Sequence, residues 1–328
     1  MFPSDFVVEE IWGNRVCDIR YSALSRVRDE VAARIQRRKE YLDFTLVKNN
    51  WETTRALKHI AWKASVSLKS FGISGMKDKN AYTAQRVSLW RGDAKKMVRL
   101  RLLGMFLKDF SYAEERITLG NHTENRFTVT IRDIPRKKKE IREILGFFEE
   151  IMTSQGAPNY YGFQRLEGGN AEVGKALKDG YLRLGVELIL RKTQPYIDKG
   201  IDSVPNVFWY EKDMLRYLEK YPNDYAGALR TIPKRIRRLY LNAYQSQIFN
   251  EQLDKVLLEG DVPQTIMVPG FAVPRMPELS TVSFERKSII KAKKFGVLNV
   301  GDGIATFSFI LGKGEYATTI LSNLASRK

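Results

Sequence analysis

The stretch "SGMKDKNAYTAQR" (residues 74–86) places one acidic residue, Asp78, between two lysines in a turn that begins with a glycine. Residues on both sides of the turn predict strands, a short one before it and a longer, alternating one after it. Thr83 and Gln85 lie two positions apart on the second strand, so their side chains share one face of the sheet. Loops held by a sheet often carry reactive side chains. By itself the pattern fits either a solvated turn or a carboxylate kept ionised for chemistry.

The apolar pattern of the remaining chain predicts a sheet domain that is interrupted by a helical block. β-Branched and aromatic runs predict strands at 5–12, 41–49, 126–134, 305–311 and 316–321. Helical spacing follows Asn50, a candidate N-cap, and recurs between residues 141 and 152. After Gly156 the sequence pattern predicts mostly helices, including a long helix over 235–258 that stops at Gly260. Residues 261–285 are rich in proline and are predicted to form loops.

The chain is strongly basic, with 55 Lys and Arg against 38 acids and a net charge of +17. Such an excess attracts polyanions and makes binding weaken with salt, so nucleic acid and anionic membrane are the leading partners. Membrane is disfavoured, because no apolar run approaches the roughly 18 residues of a span. Basic residues concentrate near the expected domain junctions, at 136–139, 233–238 and 286–294.

The composition also limits the chemistry. A single cysteine, Cys17, excludes an internal disulfide framework and fits a reducing cytoplasm. Only two histidines, His59 and His122, are present, so a structural zinc site of the usual Cys/His kind is not expected. The run "GNAEVGKA" (169–176) resembles a phosphate-binding loop, but alanine stands where Ser or Thr would bind magnesium. We therefore expect neither a metal nor a nucleotide cofactor.

Seven segments in sequence order carry a family resemblance. They are "DFVVEEI" (5–11), "FTLVKNNWETTRAL" (44–57), "GMKDKNAYTAQ" (75–85), "ENRFTVTIR" (124–132), "PNYYGFQRLEGGN" (158–170), "AYQSQIFNEQL" (243–253) and "LGKGEYATTIL" (311–321). Together they resemble the TruD family of tRNA pseudouridine synthases over almost the whole chain. The third and fifth segments are the most specific.

The resemblance implies an α+β fold, with a pseudouridine-synthase core that is a mixed, largely antiparallel sheet flanked by helices. A mainly helical TRUD domain is inserted into this core. The expected boundaries are 1–155 and 291–328 for the catalytic domain and 156–290 for the TRUD domain. The family binds RNA in the cleft between the two domains, which agrees with the predicted order of strands, helices and strands.

The resemblance also implies an isomerase that converts uridine to pseudouridine in tRNA, usually at uridine 13. The C1′–N1 bond breaks, the base rotates, and C5 joins C1′, so no redox step or energy source is required. The family's catalytic aspartate matches Asp78, whose carboxylate either attacks C1′ or removes a proton from C2′ to give a glycal-like intermediate. The target base must leave its stack to reach it.

Neighbouring residues of the motif are candidates for binding the substrate. Lys77 is a candidate cation partner of Asp78 or a phosphate contact, and Lys79 is expected to face a phosphate. Thr83 and Gln85 are expected to bond either the loop or the RNA. The family motif Gly-Asn-x-Phe matches Asn125 and Phe127, which implies an amide that helps to hold the site and a ring that packs on the target base. Without the family resemblance, Asn125 would be interpreted as a turn residue and Phe127 as a core residue of a strand.

The segment that enters the inserted domain contributes Asn159, Tyr160, Gln164 and Arg165, either as hinge residues or as part of the cleft. The chain departs from the family pattern at Glu124, Tyr161 and Leu166. The family commonly has a lysine a few residues before the segment matching "DFVVEE", and the given sequence begins too late to include it. Either the start is truncated or another cation, such as Lys77, serves beside Asp78. We expect a cytoplasmic monomer with tRNA as its partner. The alternative is an RNA-binding protein or RNA chaperone that keeps the fold without catalysis.

Overall fold

The computed structural model describes residues 2–325, except for the side chains of Phe163, Gln164, Asn323 and Ala325. The chain divides into two compact units. Unit 1 contains Met1–Gly156 and Lys291–Ala317, and unit 2 contains Ala157–Ile290 and the residues from Thr318 onward.

The elements alternate between strands and helices in the first half and are mainly helical in the second. The strands are β1 (Phe6–Trp12), β2 (Arg15–Val16), β3 (Tyr41–Asn49), β4 (Phe71–Ile73), β5 (Tyr82–Trp90), β6 (Met105–Ala113), β7 (Glu124–Ile131), β8 (Ala157–Pro158), β9 (Thr265–Val268), β10 (Phe284–Lys287), β11 (Ile289–Ile290), β12 (Lys293–Gly301) and β13 (Ile304–Gly312). The helices are α1 (Ala23–Ile35), α2 (Thr53–Ala64), α3 (Ala94–Met97), α4 (Lys138–Ser154), α5 (Phe163–Leu166), α6 (Asn170–Lys178), α7 (Leu182–Leu190), α8 (Gln194–Ile197), α9 (Trp209–Lys220), α10 (Tyr225–Thr231), α11 (Lys234–Glu259) and α12 (Ala317–Ala325).

Unit 1 is built on one large sheet with the strand order β12-β13-β7-β1-β5-β3-β6, and β2 and β4 pair with β1 and β5. The neighbouring strands are antiparallel except β1 and β5, which are parallel. This confirms the predicted fold class, a mixed and largely antiparallel sheet with helices against it. The parallel pair matters for the site, because it brings β1 directly beside the strand that follows Asp78.

Two helices cover the same face of this sheet. Leu42, Phe44 and Leu46 alternate along β3 and pack with Leu57 and Ile60 of α2 in one apolar cluster. At the other end of the sheet, Phe148 of α4 meets the ring of Phe295 in β12 edge-on, with centroids 5.8 Å apart. Phe295 in turn stacks with Phe307 and Phe309 of β13. Burial of these apolar side chains is the main source of the stability of unit 1.

The start of α2 differs from its sequence prediction. Asn50 has a φ of 57° and lies before the helix, whereas Glu52 is the N-cap, and its carboxylate accepts the N–H groups of Thr54 and Arg55. A carboxylate at this position satisfies two backbone donors and also complements the positive end of the helix. The helical spacing was therefore correct, and the cap was misplaced by two residues.

Unit 2 has a core formed by α6, α7, α9, α10 and α11 together with residues 273–279. The long helix ends at Gly260, which has a φ of 79°, as its sequence indicated. Gly174 lies inside α6 where a Cβ atom would collide with the backbone oxygen of Tyr240 in α11. Gly174 of "GNAEVGKA" thus allows close packing of two helices, which agrees with the prediction that this run is not a phosphate-binding loop.

Three parts of the predicted secondary structure are wrong. Residues 316–321 were expected to form a strand, but they enter α12, where Ala317 and Ile320 are buried at helical spacing. β-Branched residues favour strands only weakly, and burial on one helical face outweighs that preference here. Residues 261–285, expected to be loop, contain β9 and begin β10, which pair with each other. Strands β6 and β12 were not predicted.

The C-terminal helix also bears on the expected domain boundaries, which placed 291–328 in the catalytic domain. Residues from Thr318 onward group with unit 2. Within that unit the hydroxyl of Thr319 donates to the backbone oxygen of Tyr160 at 3.1 Å. No helix among the described residues is both long enough and apolar enough to cross a membrane.

Candidate active site

Strand pairing in unit 1 gathers buried polar side chains on one face of the sheet. Lys48 of β3 lies opposite Thr83 of β5, and Glu10 of β1 lies opposite Asn125 of β7. Residues that lie opposite each other on neighbouring strands point to the same face. Gln85 lies two residues after Thr83 on that face, and all five residues are buried. It is the same face that α2 and α4 cover.

The loop of residues 74–81, between β4 and β5, is fastened to this face through its backbone. The ammonium of Lys48 donates to the backbone oxygen of Asp78 at 2.8 Å and to that of Trp51 at 2.7 Å. The hydroxyl of Thr53 accepts the N–H of Lys77 at 3.1 Å. The amide of Gln85 donates to the oxygen of Gly75 at 3.1 Å. Gln85 therefore takes the loop-holding role, one of the two roles that its position allowed.

Lys77 points inward, to a partner that the sequence analysis did not name. Its ammonium lies 3.0 Å from Oε1 of Glu10 and donates to Oδ1 of Asn125 at 2.9 Å, and its side chain is only 7% exposed. Lys77 does not pair with the Asp78 carboxylate among the described residues, and its alternative role, a phosphate contact, stays a prediction. The side chain instead supports the loop from below. Asn125 contacts this lysine, and its role as an amide that helps to hold the site stays a prediction.

The carboxyl group of Asp78 lies on the outer side of the same loop. Asp78 and Lys79 are both exposed, and the Asp78 carboxylate makes no hydrogen bond or ion pair within the part of the chain that the structure describes. In unit 1 its backbone is held tightly while its carboxylate is open to an incoming ligand.

Lys48 is the cation associated with Asp78, and it was missed from the sequence. Burial lowers the pKa of Lys48 to about 8, although the carboxylates of Asp78 and Glu52 act against this fall. One signal was available, since a lysine interrupts the otherwise apolar end of the strand "YLDFTLVKN". A charged residue at a core position needs a specific partner, which here is a set of backbone carbonyls.

His122 was also missed as a member of this network. Its Nδ1 atom lies 2.5 Å from the hydroxyl oxygen of Ser74, and its Nε2 atom lies 3.3 Å from the amide nitrogen of Asn125. Burial lowers the pKa of His122, and the positive charge of Lys77 lowers it further. Nothing in the local sequence signals this role, because it depends on β7 lying next to β1.

Phe127 and Thr83 have less direct connections to the loop. The ring of Phe127 stacks on Phe309 at a centroid distance of 5.5 Å and leans on Phe6 at 6.0 Å, so that the residue is 6% exposed. This is the packing of a core residue, and the ring–base contact implied by the family stays a prediction. Thr83 is fully buried, and its hydroxyl has no hydrogen-bond partner among the described residues.

The second motif segment lies in unit 2 and bonds mainly within that unit. The Asn159 side-chain oxygen accepts from the guanidinium of Arg286 at 2.6 Å, and its amide donates to the oxygen of Lys287 at 2.9 Å. The hydroxyl of Tyr160 bonds Asp254, and burial together with this carboxylate raises the pKa of Tyr160 to about 12.

Arg165 and Gln164 complete that segment. The guanidinium of Arg165 lies over the ring of Tyr161, 4.7 Å from its centroid. Gln164 is part of α5, but its side chain lies outside the described residues. No cluster of three or more His, Cys, Asp or Glu side chains suited to a metal ion is found in residues 2–325 where they are described.

Comparisons with known proteins agree on one family. The family model described as "tRNA pseudouridine synthase D (TruD)" matches residues 1–197 and 192–270. A Methanopyrus kandleri protein named "Probable tRNA pseudouridine synthase D" is 29% identical over 342 residues, which cover 86% of this chain and 84% of the relative. A Methanocaldococcus jannaschii protein named "Probable tRNA pseudouridine synthase D 1" is 28% identical over 385 residues, covering 100% of this chain and 95% of the relative.

The fold is also similar to a solved structure. A crystal structure of a TruD protein from Methanosarcina mazei superimposes with a TM-score of 0.73 and covers 99% of this chain and 92% of that chain. The two sequences are 22% identical, so this likeness supports the fold alone.

Proposed function

The chain belongs to the tRNA pseudouridine synthase D (TruD) family, and from this premise we propose that it isomerises uridine 13 of tRNA to pseudouridine with Asp78 as the catalyst. The reaction is an intramolecular transfer. The C1′–N1 bond of the nucleoside breaks, the base turns, and a C1′–C5 bond forms while C5 loses its proton to N1 or to solvent. The reaction consumes no oxidant or nucleotide, and we propose that the enzyme uses no cofactor.

The observation that carries this proposal is the contrast between the two ends of Asp78. Its backbone oxygen accepts a hydrogen bond from the buried ammonium of Lys48 at 2.8 Å, whereas its carboxylate is exposed and unpaired among the described groups. A carboxylate that must touch the ribose of an extruded nucleoside requires both properties. It must be reachable from outside, and its position must be fixed before the substrate arrives.

A buried cation lies beside the Asp78 backbone. The ammonium of Lys48 binds the backbone oxygen of Asp78, and the Asp78 carboxylate raises the pKa of Lys48 against the effect of burial. An ionised carboxylate is required both for attack on C1′ and for removal of the C2′ proton. The buried pair of Lys77 and Glu10 lies beneath the loop and supports it.

The partner we propose is tRNA, bound largely through its phosphates. The net charge of +17 supports this choice, and the exposed lysines 137, 138, 139, 291, 293 and 294 carry part of that charge on unit 1. Lys79, exposed beside Asp78, is the candidate phosphate contact nearest to the reacting nucleoside. Extruding the base costs a few kcal/mol, which phosphate contacts offset.

We further propose that unit 1 is the catalytic domain and that unit 2, apart from α12, is the inserted TRUD domain. The two compact units, which divide after Gly156 and before Lys291, support these boundaries. We expect a monomer that acts in the cytoplasm. The single cysteine is buried, and this fits a reducing compartment.

The decisive experiment is the Asp78→Asn variant, assayed with an unmodified tRNA transcript and carbodiimide mapping of pseudouridine. We expect product formation to fall at least about a thousandfold, since the reacting carboxylate is lost. The affinity for tRNA should stay within about threefold, because no phosphate contact is removed.

The matched control is Asp133→Asn, which removes another exposed carboxylate of unit 1 and should leave the rate unchanged. Full activity of Asp78→Asn would refute the catalytic assignment. Tight tRNA binding by the native protein without any isomerisation would instead favour the RNA-binding alternative.

A further inference from the structure

A chain of buried polar groups beneath the 74–81 loop ends in a residue to which the proposed function gives no role. Glu10 pairs with Lys77, Lys77 donates to Asn125, Asn125 meets His122, and His122 meets Ser74. His122 and Ser74 are buried, and Ser74 begins the loop that carries Asp78. The chain therefore connects the first residue of this loop to the lysine that precedes Asp78.

The direction of every hydrogen bond in this chain follows from one group. The ammonium of Lys77 can only donate, so the atom of Asn125 that faces it at 2.9 Å must be the carbonyl oxygen. The amide nitrogen of Asn125 then faces Nε2 of His122 at 3.3 Å and donates to it. Nε2 must therefore be an acceptor without a proton, which leaves the single ring proton on Nδ1.

The Ser74 hydroxyl oxygen completes the pattern. It lies 2.5 Å from Nδ1 of His122 and also accepts the backbone N–H of His122 at 2.8 Å. Two donors thus converge on this oxygen, and both belong to His122. The arrangement requires a neutral imidazole with its proton on Nδ1, since any other state places two donors face to face.

We propose that His122, as the neutral Nδ1–H tautomer, is a positioning residue that orients the Asn125 amide and thereby holds Lys77 under the loop that presents Asp78. The effect on catalysis rests on the proposed function, whereas the tautomer does not. The hydrogen bonds of the His122 ring go to Ser74 and Asn125, and His122 is buried whereas Asp78 is exposed. It acts through Asn125 and Lys77.

Protonation of His122 would reverse this arrangement. A proton on Nε2 would face the amide nitrogen of Asn125, and turning the amide over would place that nitrogen against the ammonium of Lys77. The charged groups around the ring are Lys77, Lys313 and Glu10. The two lysines disfavour the imidazolium and Glu10 favours it, while burial is the largest influence and lowers the pKa from its ordinary value of 6.5.

The lowered pKa of His122 determines in which direction stability changes with pH. Because the folded protein holds the His122 pKa below that of the unfolded chain, the unfolded state binds more protons as the pH falls. The contribution of the neutral ring is complete above about pH 6.5 and is lost as the pH falls through the lower folded pKa. The positioned loop should be lost over the same range.

The tautomer can be tested by nuclear magnetic resonance on the native chain. Only His59 and His122 contribute imidazole signals, so a His59→Gln variant assigns the remaining ring. A long-range ¹H–¹⁵N spectrum at pH 7 should show His122 as a neutral ring protonated at Nδ1. A ring protonated at Nε2, or a doubly protonated ring at that pH, overturns the proposal whether or not the protein modifies tRNA.

The positioning role can be tested with two substitutions of one residue. His122→Gln keeps an acceptor for the Asn125 amide, and we expect its turnover near neutral pH to stay within about threefold of the native value. His122→Phe keeps a ring but no acceptor, and turnover should fall about tenfold with KM nearly unchanged. The native enzyme and His59→Gln should both lose turnover as the pH falls through the folded pKa of His122, which lies below the ordinary value, and His122→Gln should not.

Native turnover and a native pH profile in His122→Phe would overturn the positioning role. If that variant fails to fold, Ser74→Ala tests the same point, because it removes the acceptor of the Nδ1 proton and should shift the acid limb of turnover. An acid limb that persists in His122→Gln, or that is unshifted in Ser74→Ala, also overturns it. A native protein that makes no pseudouridine would refute the proposed function and would leave the tautomer measurement intact.

Discussion

The two most specific motif segments of the chain, residues 74–86 in unit 1 and 158–170 in unit 2, use similar polar residues in different ways. In the first, Lys48, Thr53 and Gln85 bind the loop backbone and leave the carboxylate of Asp78 exposed. In the second, the described side chains bind to their own unit, as Asn159 does with Arg286. A dense motif can therefore hold an exposed carboxylate on a fixed loop, or it can consist of side chains that all bond within their own unit.

The two segments differ in which of their polar groups already have hydrogen-bond partners. Asn159 is 1% exposed, and its side-chain oxygen, amide nitrogen and both backbone polar atoms all have partners in unit 2. None of these groups is left over for a ligand. Asp78 differs, because its backbone oxygen accepts a hydrogen bond from Lys48 whereas its carboxylate has no hydrogen-bond partner among the described residues. We therefore expect substitutions in the first segment to change the rate and those in the second to change stability.

After Asp78→Asn, the largest effect should come from Lys48→Met. Loss of the buried ammonium leaves the oxygens of Trp51 and Asp78 without their donor, so the loop loses its anchor and Asp78 loses its cation. We expect turnover to fall about a hundredfold, and the free energy of unfolding to fall by about 3 kcal/mol. Turnover assays and urea unfolding measure the two effects.

The control for this variant is Lys79→Met, which removes an exposed lysine of the same loop and should leave the free energy of unfolding unchanged. A pH series adds a second check. Because burial lowers the pKa of Lys48 to about 8, native turnover should decline as the pH rises through that value and the ammonium is lost. A rate that stays level to pH 10 would contradict a charged Lys48 beneath Asp78.

The second effect, in unit 2, should appear in stability. Arg286→Leu removes hydrogen bonds to Asn159 at 3.3, 3.0 and 2.6 Å, and a guanidinium that lies 3.9 Å from the ring centroid of Tyr161. The free energy of unfolding should fall by about 2 kcal/mol, with kcat within about threefold of the native value. Urea unfolding, followed by the fluorescence of unit 2, is the measurement.

A matched substitution separates this effect from simple loss of charge. Arg216→Leu removes an exposed ion pair with Asp202, at 3.0 Å, from the same unit, and should cost less than about 1 kcal/mol. If Arg286→Leu abolished turnover in a protein of native stability, the segment around Asn159 would belong to the reacting site, and the contrast between the two motifs would fail.

The sequence predicted those elements whose side chains alternate without interruption. Strand β3 was predicted with its observed bounds because apolar residues recur along "YLDFTLVKN", whereas β6 was missed. In β6 the alternation is broken at Asp109, which has a φ of 54°, and at Lys108, which is buried against Asp18. Strand β12 was missed because its register shifts twice against β13. Bulges and buried ion pairs depend on the neighbouring strand and leave little trace in a single strand's pattern.

The sequence motifs named candidate residues, but they did not predict the contacts of those residues. Asp78, Lys77, Gln85 and Asn125 were all identified from motifs, but the partner of Lys77 was not. Glu10 reaches Lys77 only because β1 lies between β5 and β7, one parallel and one antiparallel to it. The sheet order is a property of the whole fold, and so is the burial that makes Lys48 and His122 part of the network.

The smallest effect, and the finest test of the contrast, concerns Thr83. Its side chain is fully buried, and its hydroxyl has no partner among the described residues, although it lies on the same sheet face as Lys48. Thr83→Val keeps the shape and removes the unpaired group, so the free energy of unfolding should rise by about 1 kcal/mol. Urea unfolding of both proteins, in the absence of RNA, measures this gain.

Thr53→Val is the matched control, because the hydroxyl of Thr53 accepts the N–H of Lys77 and its removal should lower the free energy of unfolding by about 1 kcal/mol. Opposite signs for two threonine-to-valine changes in one network would show that the first motif is built around hydroxyls with different tasks. If Thr83→Val instead loses stability, its hydroxyl is bonded in the free protein. If it gains stability but loses kcat/KM on tRNA, the unpaired hydroxyl is held ready for the substrate, as Asp78 is.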